Sequence, residues 1–484
     1  MTILLIAVFV IGYLAIALEH PIKINKTASA LLTAVAMWTI FMLGNGTLID
    51  VNWDSFKHFL AVENIAEVTD SVKNHFVTYE LSHHLAEISE ILFFLLGAMT
   101  IVELIDSHQG FKVITNRIST KDSRKLLWIV SIFTFFLSAA LDNLTTAIVM
   151  VSLLRKLIHE PEQRKFFAGM VIIAANAGGA WSPIGDVTTT MLWIGGQISA
   201  GNIMITLFLP SLVCLIVPLI YLSFKMKGDI TQGAHDKQAA LQAETVKGSK
   251  LMLILGLGGL LFVPIFKTMT HLPPYMGMLL ALGVLWVVSE LLHVDKTEEE
   301  RKPYTAVHAL SKIDTSSVLF FLGILVAIQA LQSTYILTAA AEWMDQSIGS
   351  LNVIAIAIGL LSSVVDNVPL VAATMGMYPL ASASVNPEIF NYAMQNPTLI
   401  HEGMIVVDGV RYYLADAKIW EFIAYTAGTG GSCLIIGSAA GVAVMGMEKI
   451  DFLWYMKRIS LLALLGFFAG ALVYMAIYPF LAVH

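Results

Sequence analysis

Four short polar breaks interrupt segments that are otherwise apolar, and they constrain this chain more than any other feature of its sequence. Two of them contain an Asp-Asn pair, at residues 142–143 and 366–367. The other two are rich in Gly, Ser and Thr and lie at residues 176–189 and 426–438. The order is the same in both halves, an Asp-Asn break followed by a Gly/Ser break. Because carboxylates and loose glycines are costly within lipid, each break is a candidate functional site.

The segments that carry these breaks are long enough to lie in a bilayer. Hydrophobic residues make up 57% of the chain and charged residues 13%, whereas a soluble domain carries about 25% charged residues. A helical span needs about 20 residues. Apolar segments lie at residues 2–18, 28–46, 88–105, 126–154, 166–195, 202–224, 251–266, 273–292, 315–332, 351–381, 418–447 and 453–480. We therefore expect a polytopic, all-α membrane protein.

The loops on either side of the first Asp-Asn break are basic. Lys and Arg are concentrated at residues 107–125 and 155–165, and loops of this kind mark the cytoplasmic side. The segment 126–154 between them is too short for two full spans, which need about 40 residues. We therefore predict a re-entrant helical hairpin with the Asp-Asn pair at its tip. The alternative is a bundle of about twelve to fourteen spans without hairpins.

The second Asp-Asn break lies in a similar segment, residues 351–381, whose flanks are acidic or neutral. It is predicted to form a second hairpin that enters from the outside. Residues 89–97 resemble residues 316–323, and each opens a run of span, hairpin, broken span and further span. The two runs start on opposite sides, which is an inverted-topology repeat typical of secondary transporters. With the amino terminus outside, the basic residues that lie outside are Lys57, Lys73, Lys267, Arg411 and Lys418.

The complete prediction is a polytopic helical bundle with inverted-topology repeats, about ten full spans, two re-entrant hairpins and two broken helices. The chain is predicted to have four parts. Residues 1–87 hold the N-terminal spans and an acidic outer loop, and residues 88–224 form the first repeat, with hairpin 126–154 and broken helix 166–195. Residues 225–313 hold two spans and a linker at 225–250 or 293–313, and residues 314–484 form the second repeat, with hairpin 351–381 and broken helix 418–447.

Oxygen-bearing side chains cluster at the breaks and indicate a cation site. A helix break frees backbone carbonyls that coordinate cations, and ligands without His or Cys suit a hard cation such as Na⁺. The residues that this argument selects are Asp142, Asn143, Thr145, Asn176, Ser182, Asp186, Asp366, Thr429 and Ser432. Two alternatives stay open: Asp142 only caps the second arm of its hairpin, and Pro183 only kinks its helix.

The two halves are unequal at their Gly/Ser breaks, because the hydroxyl of Ser438 stands in the second half at the place that corresponds to Asp186.

Four further acidic residues lie within a turn or two of a span end and are interpreted as interfacial anchors. They are Glu90, Glu103, Glu290 and Glu421. This interpretation is weakest for Glu90.

At the four breaks the chain resembles the NhaD-type sodium/proton antiporters of the ion transporter superfamily. The motifs that carry the resemblance are Leu-Asp-Asn-Leu-Thr-Thr at 141–146, Val-Val-Asp-Asn-Val-Pro at 364–369 and Ala-Asn-Ala-Gly-Gly-Ala-Trp-Ser-Pro-Ile-Gly-Asp-Val-Thr-Thr at 175–189. The related dicarboxylate/sodium symporters carry Ser-Asn-Thr at the corresponding breaks, whereas this chain has Asp-Asn at both tips. The resemblance covers nearly the whole chain and implies inverted repeats, a separate scaffold region and a homodimer.

The resemblance also implies a set of ion ligands and an activity. The implied ligands are Asp142, Asn143, Asn176, Asp186, Thr188, Thr189, Asp366, Asn367 and Ser432. Na⁺ itself is expected at Asp142, Asn143, Asp186 and Thr188. The expected protein is a multi-pass antiporter of the bacterial inner membrane that exchanges Na⁺ or Li⁺ for H⁺ by alternating access, with ion and proton competing for buried Asp.

Two other classes of function were weighed against exchange. A sodium-coupled symporter of a small organic anion is the alternative, although the breaks contain three Asp and no Lys or Arg. A membrane enzyme is not expected, because the sequence has no metal cluster, Ser–His pair or nucleotide loop. The expected partners are small cations and lipid, with no cofactor and no nucleic acid.

Overall fold

The computed structural model describes the chain except for residues 66, 116–119, 121, 227, 229, 231–245, 408 and 482–484. Most of the linker predicted at 225–250 therefore lies outside the described residues. So do Arg117 and Lys121, two of the basic residues that place the loop 107–125 inside.

The described part is mostly helical. The first half contains α1 (Thr2–Ala17), α2 (Glu19–Ile22), α3 (Lys26–Leu43), α4 (Asn45–Leu48), α5 (Asp54–Val62), α6 (Asp70–Ser107), α7 (Lys112–Thr115), α8 (Ser123–Ala140), α9 (Asn143–Leu157), α10 (Pro161–Ala180), α11 (Val187–Ile194) and α12 (Ala200–Lys225). The second half contains α13 (Ser249–Thr270), α14 (Pro274–Leu292), α15 (Glu298–Arg301), α16 (Ala306–Lys312), α17 (Thr315–Ser333), α18 (Ile336–Ser347), α19 (Leu351–Leu361), α20 (Asn367–Met377), α21 (Pro387–Gln395), α22 (Lys418–Gly430), α23 (Ala439–Glu448), α24 (Phe452–Tyr455) and α25 (Leu461–Leu481). Short 3₁₀ turns lie at Lys302–Tyr304 and Pro397–Leu399, and a π turn at Met456–Ser460 joins α24 to α25.

Eight of the described helices are long and apolar enough to cross a membrane, or nine if one sharply bent pair counts as a single span. The chain is thus a polytopic helical membrane protein. The figure of about ten full spans stays a prediction.

All four polar breaks separate two helices, as expected from their composition. The first lies between α8 and α9, and the third between α19 and α20. The second break ends α10 at Ala180, and the fourth ends α22 at Gly430. Each later helix is directly preceded by an Asp or a Ser, residues whose side chains best satisfy the free N–H groups of a first turn; they are Asp142, Asp186, Asp366 and Ser438.

The helices that would form the arms of the two hairpins differ in length. Helix α8 has 18 residues, about 27 Å, because the Asp122 side chain caps it and accepts from the Lys125 N–H at 3.0 Å. That N–H holds the pKa of the Asp122 carboxyl below its usual value. Helix α8 therefore belongs to the helices long enough to span. Helices α19 and α20 have 11 residues each, about 16 Å. Both hairpins stay predictions.

Two regions correct the sequence analysis. The acidic outer loop, predicted at residues 47–87 with room for a surface helix, contains α5 and the first part of α6, and α6 runs without a break from Asp70 to Ser107. The reason is local, since residues 70–96 contain no Gly or Pro to stop a helix. The all-α expectation also misses a small sheet of β1 (Leu380–Ala381), β2 (Met404–Val407) and β3 (Val410–Leu414) in the order β1-β3-β2.

This sheet follows from a signal in the sequence. The run from Met404 to Leu414 is rich in β-branched and aromatic residues on both sides of an Asp-Gly pair, a strong sign of a hairpin. Strands β2 and β3 pair antiparallel, and β1 pairs parallel to β3. Ala381, Ile405 and Leu414 meet in a small apolar core with α21. The segment is therefore a folded element and not a simple loop.

The chain divides into two compact units. The first unit comprises Met1–Leu92, Asp314–Ser350 and Ala372–Pro379. Within it α3 packs on α17, where the Trp38 indole donates to the Val326 carbonyl at 2.8 Å.

The second unit comprises Phe93–Ile313, Leu351–Val371 and Leu380–His484 and contains all four polar breaks. Within it α25 packs closely on its neighbours: the Tyr425 hydroxyl donates to the Phe467 carbonyl at 2.8 Å. The predicted division into two repeats stays a prediction.

Cysteine labelling tests the first hairpin. Arg124 and Glu160 are exposed and flank α8 and α9, whereas the native Cys214 and Cys433 are buried. We expect Arg124→Cys and Glu160→Cys to react with a membrane-impermeant maleimide only from the cytoplasmic side, because both loops are basic. The control Glu388→Cys, exposed in α21, should react only from the outside. Labelling of positions 124 and 160 from opposite sides contradicts the hairpin.

Candidate ion-binding site

The Asp of the first tip is engaged with its own helix. Asp142 is the N-cap of α9, with extended backbone (φ −80°, ψ 160°). Its carboxylate accepts from the Thr145 N–H at 2.8 Å and from the Thr145 hydroxyl. Capping was one of the alternatives for this residue, and the structure contains the cap. Among the described contacts, no hydrogen bond joins Asp142 to the other breaks.

The neighbouring Asn points into the protein and connects two breaks. Asn143 is buried, and its Nδ2 donates to Asn176 Oδ1 at 3.1 Å and to Asp186 Oδ2 at 2.8 Å. Because Asp142 caps α9, Asn143 is the first residue of this helix. Its side chain points toward α10 and toward the break that follows α10. One residue of the Asp-Asn pair thus shapes the helix end, and the other reaches the second break.

Asp186 is the centre of the arrangement. It is 2% exposed and is the N-cap of α11, where Oδ1 accepts from the Thr188 N–H at 3.1 Å. Asn367, from the third break, donates to Oδ2 at 3.1 Å. Together with Asn143, three donors surround this carboxylate, an environment that suits its ionised, acceptor-only form. The Asn residues of both Asp-Asn pairs therefore converge on a single buried carboxylate.

Asn176 joins this centre to the fourth break. It is fully buried in α10, and its Nδ2 donates to the hydroxyls of Ser432 at 2.9 Å and Ser438 at 3.0 Å. Its Oδ1 accepts from Asn143. Ser438 is also the N-cap of α23 and accepts from the Gly441 N–H at 3.1 Å. All four breaks thus share one hydrogen-bond network, defined here as the Asp186 network (Asn143, Asn176, Asp186, Asn367, Ser432 and Ser438).

The remaining predicted ligands serve mainly the backbone. The Thr189 hydroxyl donates to the Asp186 carbonyl at 2.9 Å, and the Thr429 hydroxyl donates to the Tyr425 carbonyl at 2.6 Å. Ser182 accepts from the Ile184 N–H at 3.4 Å. Asp366 is half-buried and accepts from the Val368 N–H at 3.4 Å.

Thr188 differs from these residues. Its hydroxyl is fully buried and has no hydrogen-bond partner among the described residues. A buried hydroxyl normally finds a partner. Thr188 is the second residue of α11, which Asp186 caps. Its hydroxyl is therefore available to a ligand beside the Asp186 carboxylate.

In each half an equivalent hydrogen bond joins the Asp-Asn break to the neighbouring broken helix. The Ser138 hydroxyl donates to the Ala175 carbonyl at 2.6 Å, and the Ser362 hydroxyl donates to the Ala427 carbonyl at 2.8 Å. Each Ser stands four residues before its Asp, and each carbonyl belongs to the neighbouring broken helix. Sequence analysis did not select these two serines, and their spacing of four residues from an Asp is the signal that could have found them.

Glycines allow the helices to approach at the same places. A Cβ on Gly178 would lie 2.2 Å from the Phe135 carbonyl oxygen, and one on Gly430 would lie 2.0 Å from the Gly359 carbonyl oxygen. Any side chain at either position would overlap the facing backbone. The close approach of α10 to α8, and of α22 to α19, thus depends on the absence of a side chain.

The chemistry of the Asp186 network favours a small hard cation. No Lys or Arg forms a hydrogen bond to its six members in the part of the chain that the structure describes. Among the same residues, no group of three His, Cys, Asp or Glu side chains could hold a metal ion. Oxygens from Asp, Asn, Ser and Thr are instead the ligands that alkali and alkaline-earth cations prefer.

Comparison with known proteins gives a consistent result. A family model described as "Citrate transporter" matches residues 13–395. Sodium/proton antiporters 1 and 2 of Arabidopsis thaliana are 45% and 43% identical over 471 and 474 residues. These alignments cover 97% and 98% of this chain and 71% and 99% of the plant proteins. The Na(+)/H(+) antiporter NhaD of Vibrio cholerae is 28% identical, with 93% of this chain and 86% of that protein covered.

The difference between Asp186 in the first half and Ser438 in the second predicts how much each residue contributes to Na⁺ affinity. Asp186→Ala should weaken Na⁺ binding by at least about tenfold, and Ser438→Ala should weaken it only a few-fold, because a carboxylate is the stronger cation ligand. Calorimetric Na⁺ titration of the two purified variants measures the difference, with size-exclusion profiles as the control for folding. Equal losses would indicate a symmetric site.

The packing of the fourth break gives a prediction about stability. Gly430→Ala should destabilise the protein by ~1–3 kcal/mol, since the added methyl overlaps the Gly359 carbonyl. Gly446→Ala is the matched control, because a Cβ there meets no atom within 4 Å and Ala favours a helix. Thermal unfolding of both variants in detergent compares them. An unchanged midpoint for Gly430→Ala would show that the two helices separate easily.

Proposed function

Because the chain belongs to the citrate transporter family, and within it to the NhaD-type sodium/proton antiporters, we propose that it exchanges Na⁺ for H⁺ across a membrane. The observation that carries the proposal is the buried Asp186 carboxylate, to which the amides of Asn143 and Asn367 converge. A carboxylate in this position needs a neutralising partner. Na⁺ and H⁺ are two such partners, and one excludes the other.

The proposed Na⁺ ligands are Asp142, Asn143, Asp186 and Thr188. In the described conformation Asn143 donates an N–H to Asp186, so the amide has to turn its oxygen toward an incoming ion. The Thr188 hydroxyl is already unpartnered among the described residues. Asp142 reaches the ion after its cap on α9 loosens. Binding of the ion and rearrangement of the helix starts are therefore coupled.

Proton binding produces the opposite state. A proton on Asp186 neutralises the charge and leaves fewer acceptor sites for the two Asn amides. Na⁺ that enters the site displaces this proton, which leaves to water. The exchange is then coupled by exclusion, since the site carries either the ion or the proton when it faces the other side.

We propose that alternating access acts on a site shared by two inverted repeats. The support is the pair of matched contacts, Ser138 to Ala175 and Ser362 to Ala427, together with glycines at matched positions. In this scheme the two re-entrant hairpins carry the Asp-Asn tips and the two broken helices carry the Gly/Ser breaks. The four breaks themselves all lie in the second unit.

Several finer properties stay predictions. They are Li⁺ as a second transported ion, ligand roles for Asp366 and Thr429, and a homodimer. The bacterial inner membrane is also a prediction, because the relatives that match come from plants as well as bacteria.

A symporter of a small organic anion is the second candidate, favoured by the description of the matching family. An anion such as citrate needs cationic or N–H donors. The N–H groups of Asn143 and Asn367 are already used by Asp186. Sodium-driven uptake of radiolabelled citrate into vesicles would favour this candidate, and its absence beside Na⁺-induced proton movement would exclude it.

The pH dependence of Na⁺ binding tests the proposed exchange. Apparent Na⁺ affinity of the purified protein should rise as pH rises, because fewer sites hold the competing proton, and should level off when the site is deprotonated. Asp142→Asn and Asp186→Asn should abolish Na⁺-induced proton movement in vesicles while the protein remains folded. An affinity that does not change with pH, or full exchange in either variant, would disprove competition.

A further inference from the structure

A second buried carboxyl lies in the second unit, away from the Asp186 network. The sequence suggested that Glu421 anchors a span end at the interface, but the structure corrects this, since the residue is only 1% exposed. It lies in the first turn of α22 and faces α12 and α25. Asn202 of α12 donates to Oε1, and the hydroxyl of Tyr474 from α25 lies 2.9 Å from Oε2.

No cation pairs with Glu421 among the described contacts. Lys418, one turn earlier, forms its ion pair with Glu402. The other charged or titratable groups that face Glu421 are Asp416, whose carboxylate accepts from the Ser199 N–H, and the two tyrosines of α25, Tyr474 and Tyr478. Thr206 of α12 is a further neutral neighbour. A buried carboxylate to which no cation is paired is strongly unfavourable.

The count of hydrogens identifies the form of the side chain. The Tyr474 hydroxyl has one hydrogen but lies near two oxygens, Glu421 Oε2 at 2.9 Å and the Lys418 carbonyl at 3.2 Å. If Glu421 is ionised, both oxygens compete for that hydrogen. If Glu421 is the neutral acid, Oε2–H donates to the Tyr474 oxygen and Tyr474 donates to Lys418. The neutral acid therefore satisfies every polar atom in the chain of contacts.

Asp186 shows the opposite arrangement. The hydrogen bonds that its oxygens accept come from two amide N–H groups and one backbone N–H, none of which can accept in return. The protein thus contains one buried carboxyl that is hydrogen-bonded by N–H donors and another that is hydrogen-bonded to a hydroxyl able to accept. The two sites favour different protonation states for a geometric reason.

We propose that Glu421 is a second proton-binding site, which holds its proton as a neutral acid hydrogen-bonded to Tyr474 and releases and regains that proton during transport. On release the O–H bond of the carboxyl breaks, the proton passes to water and the electron pair stays on the carboxylate. The reverse step restores the acid in the next half-cycle. The release step rests on the proposed function, whereas the neutral acid does not.

Infrared spectroscopy of the purified protein tests the neutral acid. The wild type should show the C=O stretch of a protonated carboxylic acid, and Glu421→Gln should lack it. Glu448→Gln is the matched control, since Glu448 is also buried, at 6% exposed, but pairs with Arg155 and Arg164, and so should leave the band intact. Tyr474→Phe should keep the band and shift its frequency. A band unchanged in Glu421→Gln would overturn the assignment.

Transport measurements test the release of the proton. Gln at 421 can still donate to Tyr474 and accept from Asn202, so a purely structural acid would leave exchange unchanged. We expect Glu421→Gln to lower the maximal exchange rate about tenfold and to leave the apparent KM for Na⁺ within about twofold. A full exchange rate in this variant would disprove release.

The two measurements separate the possible failures. If the wild type itself does not exchange Na⁺ for H⁺, the proposed function is wrong and release at Glu421 is wrong with it. The infrared band of Glu421 still decides the neutral acid in that case.

Discussion

The burial of one carboxylate, that of Asp186, is the constraint on which the arrangement of the four breaks depends. A charge that is 2% exposed within a membrane protein persists only where enough donors surround it. Two of these donors are the amides of Asn143 and Asn367, from the two Asp-Asn tips. The third is the backbone of the helix that Asp186 itself caps. The position of the charge therefore dictates where both tips must lie.

Close packing of the backbones makes this convergence possible. The helices that lead to the tips touch the broken helices at Gly178 and Gly430, where a methyl group would already overlap a carbonyl. Beside each contact a serine, Ser138 or Ser362, donates to the backbone of the broken helix. Small residues and one hydroxyl at each contact let two helices approach without leaving polar groups unsatisfied.

The buried acids of the second unit illustrate three ways to satisfy a carboxyl. Asp186 is surrounded by N–H donors, Glu448 by two Arg, and Glu421 by an amide and a hydroxyl. The first suits exchange of a cation for a proton, the second is a fixed ion pair, and the third suits a held proton. Similar burial thus leads to different chemistry, because the partners differ in what they donate and accept.

The sequence by itself determined the class of protein, the helices and the positions of their breaks, because these depend on local signals: apolar runs, Gly and Pro, and capping residues such as Asp142 and Asp186. The Asp-Gly pair between two runs of β-branched and aromatic residues is a local signal of the same kind for the sheet. Only the tertiary structure decided which side chains meet. It turned Asn143 and Asn367 toward Asp186, and it buried Glu421 against Tyr474. These outcomes depend on contacts between residues 43 to 181 positions apart, from Asn143 with Asp186 to Asn367 with Asp186, which no local pattern encodes.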